Sequence, residues 1–401
     1  MPPSPPPRSA MLVVAGGAAA VAGAVTVYLH RSRFDRRGKH GPPATEHRAN
    51  PGADDYDEQL RRLWGGPAPK HYRGCFDEWP SRYPAPEGAV ALVTGGTGGI
   101  GFYVAKLLAH VGYEVVLPGR AGFEAEDAGA AAAIRRAVPN AKVVVPEAKL
   151  DLGDFASVRA FASAVRSSYG RLDVLCLNAG RGGSKDDPRD ESVDGHESIM
   201  QVNATGHLLL TVELLPLLRT SPAARVVSQS SGARHSAKPE KIRDIDGTDA
   251  TAFSAFDQYC LSKACNALFT KALNERLAAQ GIDNVVAVMS DPGFACTGVN
   301  FQHDLTKSLL GAVGGFTKVM HNLAGQHAAD GALPMALAAV DPEAKRNDWY
   351  TAAQGLVGPP KRGDPRSEGK PAQEPLNDDV YPQALRDSFW SQACEHSRAN
   401  L

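Results

Sequence analysis

Tyr259 and Lys263 stand four residues apart in a stretch of helical pattern, so the phenol and the ammonium lie on one helix face. A phenol with its ordinary pKa near ~10 is a poor acid or base at neutral pH, and a neighbouring cation favours its ionised form. Upstream, the apolar run Arg225 to Ser228 leads into Gln229-Ser230-Ser231, where the Ser231 hydroxyl could hold a substrate oxygen near the phenol. Asn203 could anchor a water that passes protons from Lys263. A tyrosine and lysine at this spacing are common on ordinary helices, so the reading depends on what else the chain places beside them.

It places a glycine-rich turn. Thr94-Gly95-Gly96-Thr97-Gly98-Gly99-Ile100-Gly101 follows an apolar run and opens directly into a helical pattern. Such a turn lets the backbone approach a pyrophosphate, and the helix start offers unpaired amides and the positive end of its dipole. The next apolar run ends Leu117-Pro118-Gly119-Arg120, with no acid where an enzyme of unphosphorylated NAD usually holds the ribose hydroxyls. Arg120 either pairs with the extra phosphate of NADP or is an exposed loop arginine. Asp151 either accepts from the adenine amino group or caps a helix, a role that suits nearby Asp154 better. Asn178-Ala179-Gly180 offers a short amide to loop backbone groups beside a cofactor.

Positioning these groups requires a regular frame. The runs Ala89 to Val93, Glu114 to Leu117, Lys142 to Val145, Leu172 to Leu177, Arg225 to Ser228 and Val285 to Met289 are continuous rather than alternating, as in strands covered on both faces. Between them, Ile100 to His110, Ala125 to Ala137, Ser157 to Ser168, Ser192 to Leu218 and Tyr259 to Ala279 repeat their apolar residues at helical spacing. The alternation predicts an α/β doubly wound parallel sheet, a Rossmann fold, with the chemistry at the carboxyl ends of its strands.

The chain has 401 residues, 43 basic against 44 acidic, and no basic excess to favour nucleic acid. Its 6 cysteines form no C-x-x-C pair and read as free thiols, with no metal site expected. Residues 10–29 carry no charge and are followed by Arg31, Arg33, Arg36, Arg37 and Lys39. Residues 1–38 therefore read as a membrane anchor with the bulk of the protein on the cytosolic side, or as a cleaved plastid or mitochondrial targeting peptide. Residues 39–88 read as a proline-rich linker whose prolines exclude long helices and whose aromatics strap part of it to the domain. The dinucleotide domain is expected over 89–355, and a polar tail with a short helix after Tyr381 over 356–401.

Thr94-Gly-x-x-x-Gly-Ile-Gly101, Asn178-Ala-Gly180, Asn203, Ser231 and Tyr259-x-x-x-Lys263 resemble, in order and strand context, the short-chain dehydrogenase/reductase family. Val202-Asn203-x-x-Gly206-His207-x-x-Leu210 looks like its retinol-dehydrogenase branch, while Lys263-x-Cys265-Asn266 also resembles protochlorophyllide reductases. The resemblance implies a catalytic tetrad of Asn203, Ser231, Tyr259 and Lys263, with Ser231 rather than Ser230 in the serine role. It implies that Lys263 also holds the nicotinamide ribose. It further implies NADP (NADPH) as cofactor, and a loop along the nicotinamide formed by Asp291-Pro292-Gly293 with Thr297. The family usually carries another residue where Asp291 stands. The apolar segment Phe294, Phe301, Leu305, Leu309, Leu310, Phe316 and Met320 suits a lid over a small lipophilic alcohol, aldehyde or ketone. A membrane anchor would place such a site in the endoplasmic reticulum. Reduction of a conjugated carbon–carbon bond and non-catalytic NADP binding are the alternatives, and oligomeric state is not readable.

Overall fold

The computed structural model describes residues 50, 52–64, 66–183, 187–249, 253–296, 325–352, 359–363 and 381–401. The six apolar runs form β1 (Val90–Val93), β2 (Glu114–Val116), β3 (Val143–Val144), β4 (Val174–Leu177), β5 (Ala224–Gln229) and β6 (Val285–Ser290). Two further strands, β7 (Trp349–Ala352) and β8 (Pro360–Gly363), extend the sheet, whose order is β3-β2-β1-β4-β5-β6-β7-β8. All neighbours are parallel except β7 and β8. The order reverses at β1, which pairs with β2 on one side and β4 on the other. The crevice beyond the carboxyl ends of β1 and β4 is therefore the topological switch point, where ligands of such sheets bind.

Helices cover both faces. From the amino end these are α1 (Tyr56–Trp64), α2 (Tyr72–Arg82), α3 (Gly99–His110), α4 (Glu124–Ala137) and α5 (Phe155–Ser168). Then come α6 (Ser198–Met200), a π-helical turn at Gln201–Thr205, and α7 (Gly206–Leu218). The last three are α8 (Ala255–Ala279), α9 (Ala328–Val340) and α10 (Gln383–Ser397). One face packs α5, α7, α8 and α10 through side chains such as Phe161, Leu208, Phe269 and Phe389. The other packs α1 to α4 and α9 through Trp79, Tyr103, Leu108 and Leu333.

Four expectations change. The linker 39–88 contains α1 and α2, and α2 has Pro80 inside it. The prolines leave room for these two short helices of 9 and 11 residues, and at the start of α2 the Asp330 carboxylate accepts the amides of Lys70, His71 and Tyr72 at 2.8, 2.9 and 2.9 Å. The tail beyond 355 is not merely peripheral either, since β8 closes the sheet edge and α10 lays Trp390 parallel to Phe269, centroids 6.3 Å apart. The helix bearing Tyr259 starts four residues earlier than its apolar spacing suggested, at Ala255, where the Ser254 hydroxyl accepts the Asp257 amide at 3.3 Å. The stretch from Ser192 becomes helical only at Ser198, with Glu197 accepting the amides of Ile199 and Met200 at 3.0 and 2.7 Å. Residues 1–38, and with them the stretch 10–29, lie outside the described residues. So do Thr297 and the lid residues from Phe301 to Met320. Among the described residues no helix is long and apolar enough to cross a membrane.

Candidate active site

The glycine-rich turn leaves β1 and enters α3 with Gly95 and Gly99 at φ +62° and +51°, a region that favours glycine. Gly101 is fixed for a different reason. A β-carbon there would lie 2.2 Å from the Gly95 carbonyl oxygen, so α3 can sit this close to the turn only without one. Gly99 faces open space, with nothing within 4 Å of a β-carbon built on it. Thr97 and Ile100 are half-buried beside it. A cradle of this shape, with the start of a twelve-residue helix behind it, fits a dinucleotide diphosphate.

Thr94 is fully buried and does not line the crevice. Its hydroxyl accepts the amides of Asn178 and Ala179 at 2.9 and 3.0 Å, which ties the ends of β1 and β4 together. The same oxygen lies 3.0 Å from His207 Nε2, and His207 Nδ1 lies 3.2 Å from the Asn203 carbonyl oxygen. A carbonyl can only accept, so Nδ1 carries the proton and Nε2 accepts the Thr94 hydroxyl. Burial pushes the His207 pKa down to about 3, which keeps the ring neutral and this chain of bonds intact. Asn178 donates its side-chain amide to the Thr94 carbonyl at 2.9 Å, satisfying loop backbone as its type suggested.

Asn203 sits in the π-helical turn, a feature often found at functional sites. Its side chain accepts the Arg181 amide at 2.8 Å and donates to the Arg181 carbonyl and the Ser262 hydroxyl at 2.9 Å each. A β-carbon on Gly180 would lie 3.2 Å from Asn203 Oδ1 and 3.6 Å from Lys263 Nζ, so the β4 loop, the π turn and α8 meet at one point. Lys263 is buried, and its ammonium donates to the Gln229 carbonyl at 3.1 Å. It stands 5.8 Å from the centre of the Tyr259 ring. Ser230 is buried and donates to the Lys263 carbonyl at 2.8 Å, whereas Ser231 is half-buried and hydrogen-bonds the Tyr259 phenol. The structure thus brings Asn203, Ser231, Tyr259 and Lys263 together beside the β4 loop.

The charges here differ from the sequence expectation. Lys263 was expected to acidify Tyr259; instead burial pushes the phenol up to about 12, opposed by the Ser231 hydrogen bond, while Cys260 and Asp291 raise it further. Burial also lowers Lys263 to about 8, opposed by Asp291. Asp291 is itself paired at 2.5 Å with Arg234, both nearly sealed from solvent. Arg234 donates to the Ser231 carbonyl as well, at 2.9 Å, so one guanidinium joins the serine loop to the Asp291-Pro292-Gly293 loop. Gly293 sits at φ +64° with its amide on Asp291 Oδ1 at 3.0 Å, and the Pro292 carbonyl accepts from Gln326 at 2.6 Å.

At the far end of the crevice Arg120 is exposed, its guanidinium stacked 4.3 Å from the centre of the Phe123 ring. Asp151 is exposed and accepts the Gly153 amide at 2.9 Å, while Asp154 caps α5 by accepting the amides of Ala156 and Ser157. The sequence showed no acid at the end of β2, yet α4 supplies one. The buried Asp127 carboxylate lies 2.0 Å from where a Gly119 β-carbon would be, 3.8 Å from the Lys149 ammonium, and is hydrogen-bonded by Thr97. Arg234 and Asp127 had no role in the sequence reading, and His207 entered it only as part of the Val202 to Leu210 motif. Arg234 lies three residues beyond Ser231, a nearness that was its only available signal.

All 6 cysteines are free thiols. His196, Asp246 and His396 converge, with His196 Nδ1 donating to Asp246 at 2.9 Å and the two rings stacked 4.0 Å apart at 18°. His396 Nε2 lies 3.6 Å from the same Asp246 oxygen, so the three groups meet at one point and tie α10 to the loops.

Residues 89–242 match the family model described as short chain dehydrogenase. The chain is 38% identical to retinol dehydrogenase 12 of Homo sapiens over 195 residues, 49% of this chain and 58% of that protein. It is 35% identical to polyprenol dehydrogenase of Homo sapiens over 248 residues, 60% of this chain and 71% of that protein. An uncharacterized protein from Mycobacterium Paratuberculosis superposes with a TM-score of 0.59 at 25% identity, covering 80% of this chain and 97% of its own. The chain thus spans little more than half the length of the retinol dehydrogenase it matches.

Proposed function

The chain belongs to the short-chain dehydrogenase family, in its retinol-dehydrogenase-like branch, and on that premise we propose that it is an NADP(H)-dependent oxidoreductase interconverting a lipophilic alcohol with its aldehyde or ketone. The observation that carries the reading is the Ser231–Tyr259 hydrogen bond beside the buried Lys263, next to the open glycine cradle. When bound, the nicotinamide supplies or takes the hydride. Tyr259 then handles the proton. With its pKa pushed up to about 12 the phenol is protonated at neutral pH, poised to give a proton to a carbonyl oxygen that becomes an alcohol. Ser231 holds that oxygen, Lys263 and Asn203 stand behind the phenol, and the Arg234–Asp291 pair holds the serine loop against the nicotinamide loop.

Arg120, free to leave Phe123, supports NADP over NAD through a charge-assisted pair with the adenosine phosphate, and Lys149 adds a second cation nearby. The lipophilic substrate class rests on the two relatives, a retinol and a polyprenol dehydrogenase, and on the apolar composition from Phe294 to Met320. The uncharged stretch 10–29 would hold the domain against the membrane in which such a substrate dissolves, on the cytosolic face of the endoplasmic reticulum. The test is a substrate screen with NADPH and NADH against lipophilic aldehydes, ketones and tetrapyrroles. Carbonyl reduction with NADPH is expected, and Tyr259→Phe should lower turnover by roughly 10² or more while NADPH affinity stays nearly unchanged. Full activity in that variant would remove Tyr259 from the chemistry.

A further inference from the structure

Helix α1 precedes the span matched by the family model, yet it reaches the glycine cradle. The Gly99 amide, first in α3, donates to the Tyr56 hydroxyl at 2.8 Å. Tyr56 is only 5% exposed, its ring edge-on to Phe102 at 5.1 Å and stacked on Tyr103 at 6.0 Å. Next to it, the Asp57 carboxylate accepts the Tyr103 hydroxyl, and the three amides on Asp330 anchor the chain on the far side. The phenol is therefore placed by the fold rather than resting on it.

Its hydrogen-bond balance is incomplete. The amide is the donor in the Gly99 bond, so the phenol oxygen accepts and the hydroxyl hydrogen remains over. Among the described residues no acceptor meets that hydrogen. Burial holds the phenol far above its ordinary range, so the hydrogen stays in place. An amide at the positive end of a helix also polarises the hydroxyl that accepts from it, which makes its O–H a better donor.

We propose that Tyr56 is a cofactor-binding residue that passes the Gly99 donor outward, giving its own O–H to an oxygen of the dinucleotide diphosphate. The inference rests on the dinucleotide reading above and extends the site to a segment beyond the family span. The diphosphate is common to NADPH, NADH and ADP-ribose, so Tyr56 acts on all three alike, unlike Arg120, which meets only the extra phosphate.

The experiment is titration of the full chain with NADPH, NADH and ADP-ribose by calorimetry, for the natural protein and for Tyr56→Phe, with thermal unfolding as the check on folding. Loss of one hydrogen bond to a charged oxygen should weaken all three ligands by about tenfold or more. Unchanged or tighter binding in Tyr56→Phe overturns the inference, because a phenol that merely plugs the Gly99 amide would release a donor when removed. Should the variant not fold, hydrogen exchange over residues 54–64 of the natural protein decides. Slower exchange with NADPH is expected, and unchanged or faster exchange overturns the proposal. Failure of the natural protein to bind any of the three overturns the dinucleotide reading itself, a result distinct from equal binding by both proteins.

Discussion

His207 should make this fold sensitive to mild acid. In the folded chain its pKa is pushed down to about 3 by burial, against an ordinary value of 6.5. The folded state therefore resists a proton that the unfolded chain takes up. Stability from this group is complete above the unfolded value, falls as pH drops below 6.5, and is exhausted near the folded value. Each pH unit within that window costs about 1.4 kcal/mol, and integration from pH 7 to pH 5 gives a loss of about 2 kcal/mol. Against a total stability on the order of 5–15 kcal/mol that is a large share. His110, His235, His327 and His396 are also lowered by burial and add a slope of the same sign, so a difference measurement is needed. Urea unfolding of the natural protein and of His207→Gln at pH 7, 6 and 5 isolates the group. The variant is expected to be less stable at pH 7, since it loses the fixed link between Thr94 and the Asn203 carbonyl, but its profile should be flatter by about 2 kcal/mol over the range. In midpoint terms, with a slope of roughly 3 kcal/mol per molar urea, the two curves should approach each other by about 0.7 M. Parallel profiles would refute the assignment of a buried neutral imidazole.

Arg120→Ala should weaken NADPH on the order of tenfold or more and leave NADH nearly untouched, as measured by fluorescence titration; equal losses would exclude a pair with the adenosine phosphate. Deleting residues 1–38 should move the protein from the membrane pellet to the supernatant with cofactor binding retained, and a deletion that still sediments wholly with membranes would place the attachment elsewhere.

Those parts of the fold that announce themselves locally were legible in the sequence. Strands β1, β4 and β6 are nearly continuous apolar runs between turn residues, buried along almost their whole length, and a strand covered on both faces leaves no other pattern. By contrast, α9 is small and apolar almost all round, with Pro334 inside it, so its buried face has no contrast with the rest. Strands β7 and β8 are short, and β7 opens on a tryptophan that is only half-buried. Helix α2 was hidden by its internal Pro80 and by a cap that comes from Asp330, far along the chain, and α1 by its short length between Pro51 and Pro67.

Within the candidate site the same division holds. Tyr259, Lys263, Ser231 and the glycines were visible because their spacing is set within one helix or one turn. Tyr56, Asp127, His207 and Arg234 act across elements: α1 onto α3, α4 onto the end of β2, α7 onto β1, and the serine loop onto the loop after β6. No local pattern encodes such pairings.

The proton chemistry shows why spacing alone falls short. A tyrosine four residues before a lysine guarantees that the two groups are neighbours, and a cation beside a phenol lowers its pKa in any medium. Burial, however, opposes charge of either sign. It pushes Tyr259 up and Lys263 down, each toward its neutral form, and it is the largest effect on both groups. Asp291 sharpens the contrast: its negative charge raises both groups, helping Lys263 keep its proton while making Tyr259 harder to ionise. Arg234, held against Asp291 out of solvent, offsets that charge and fixes where it sits. The phenol therefore rests protonated at neutral pH, a state that the spacing of Tyr259 and Lys263 does not by itself give.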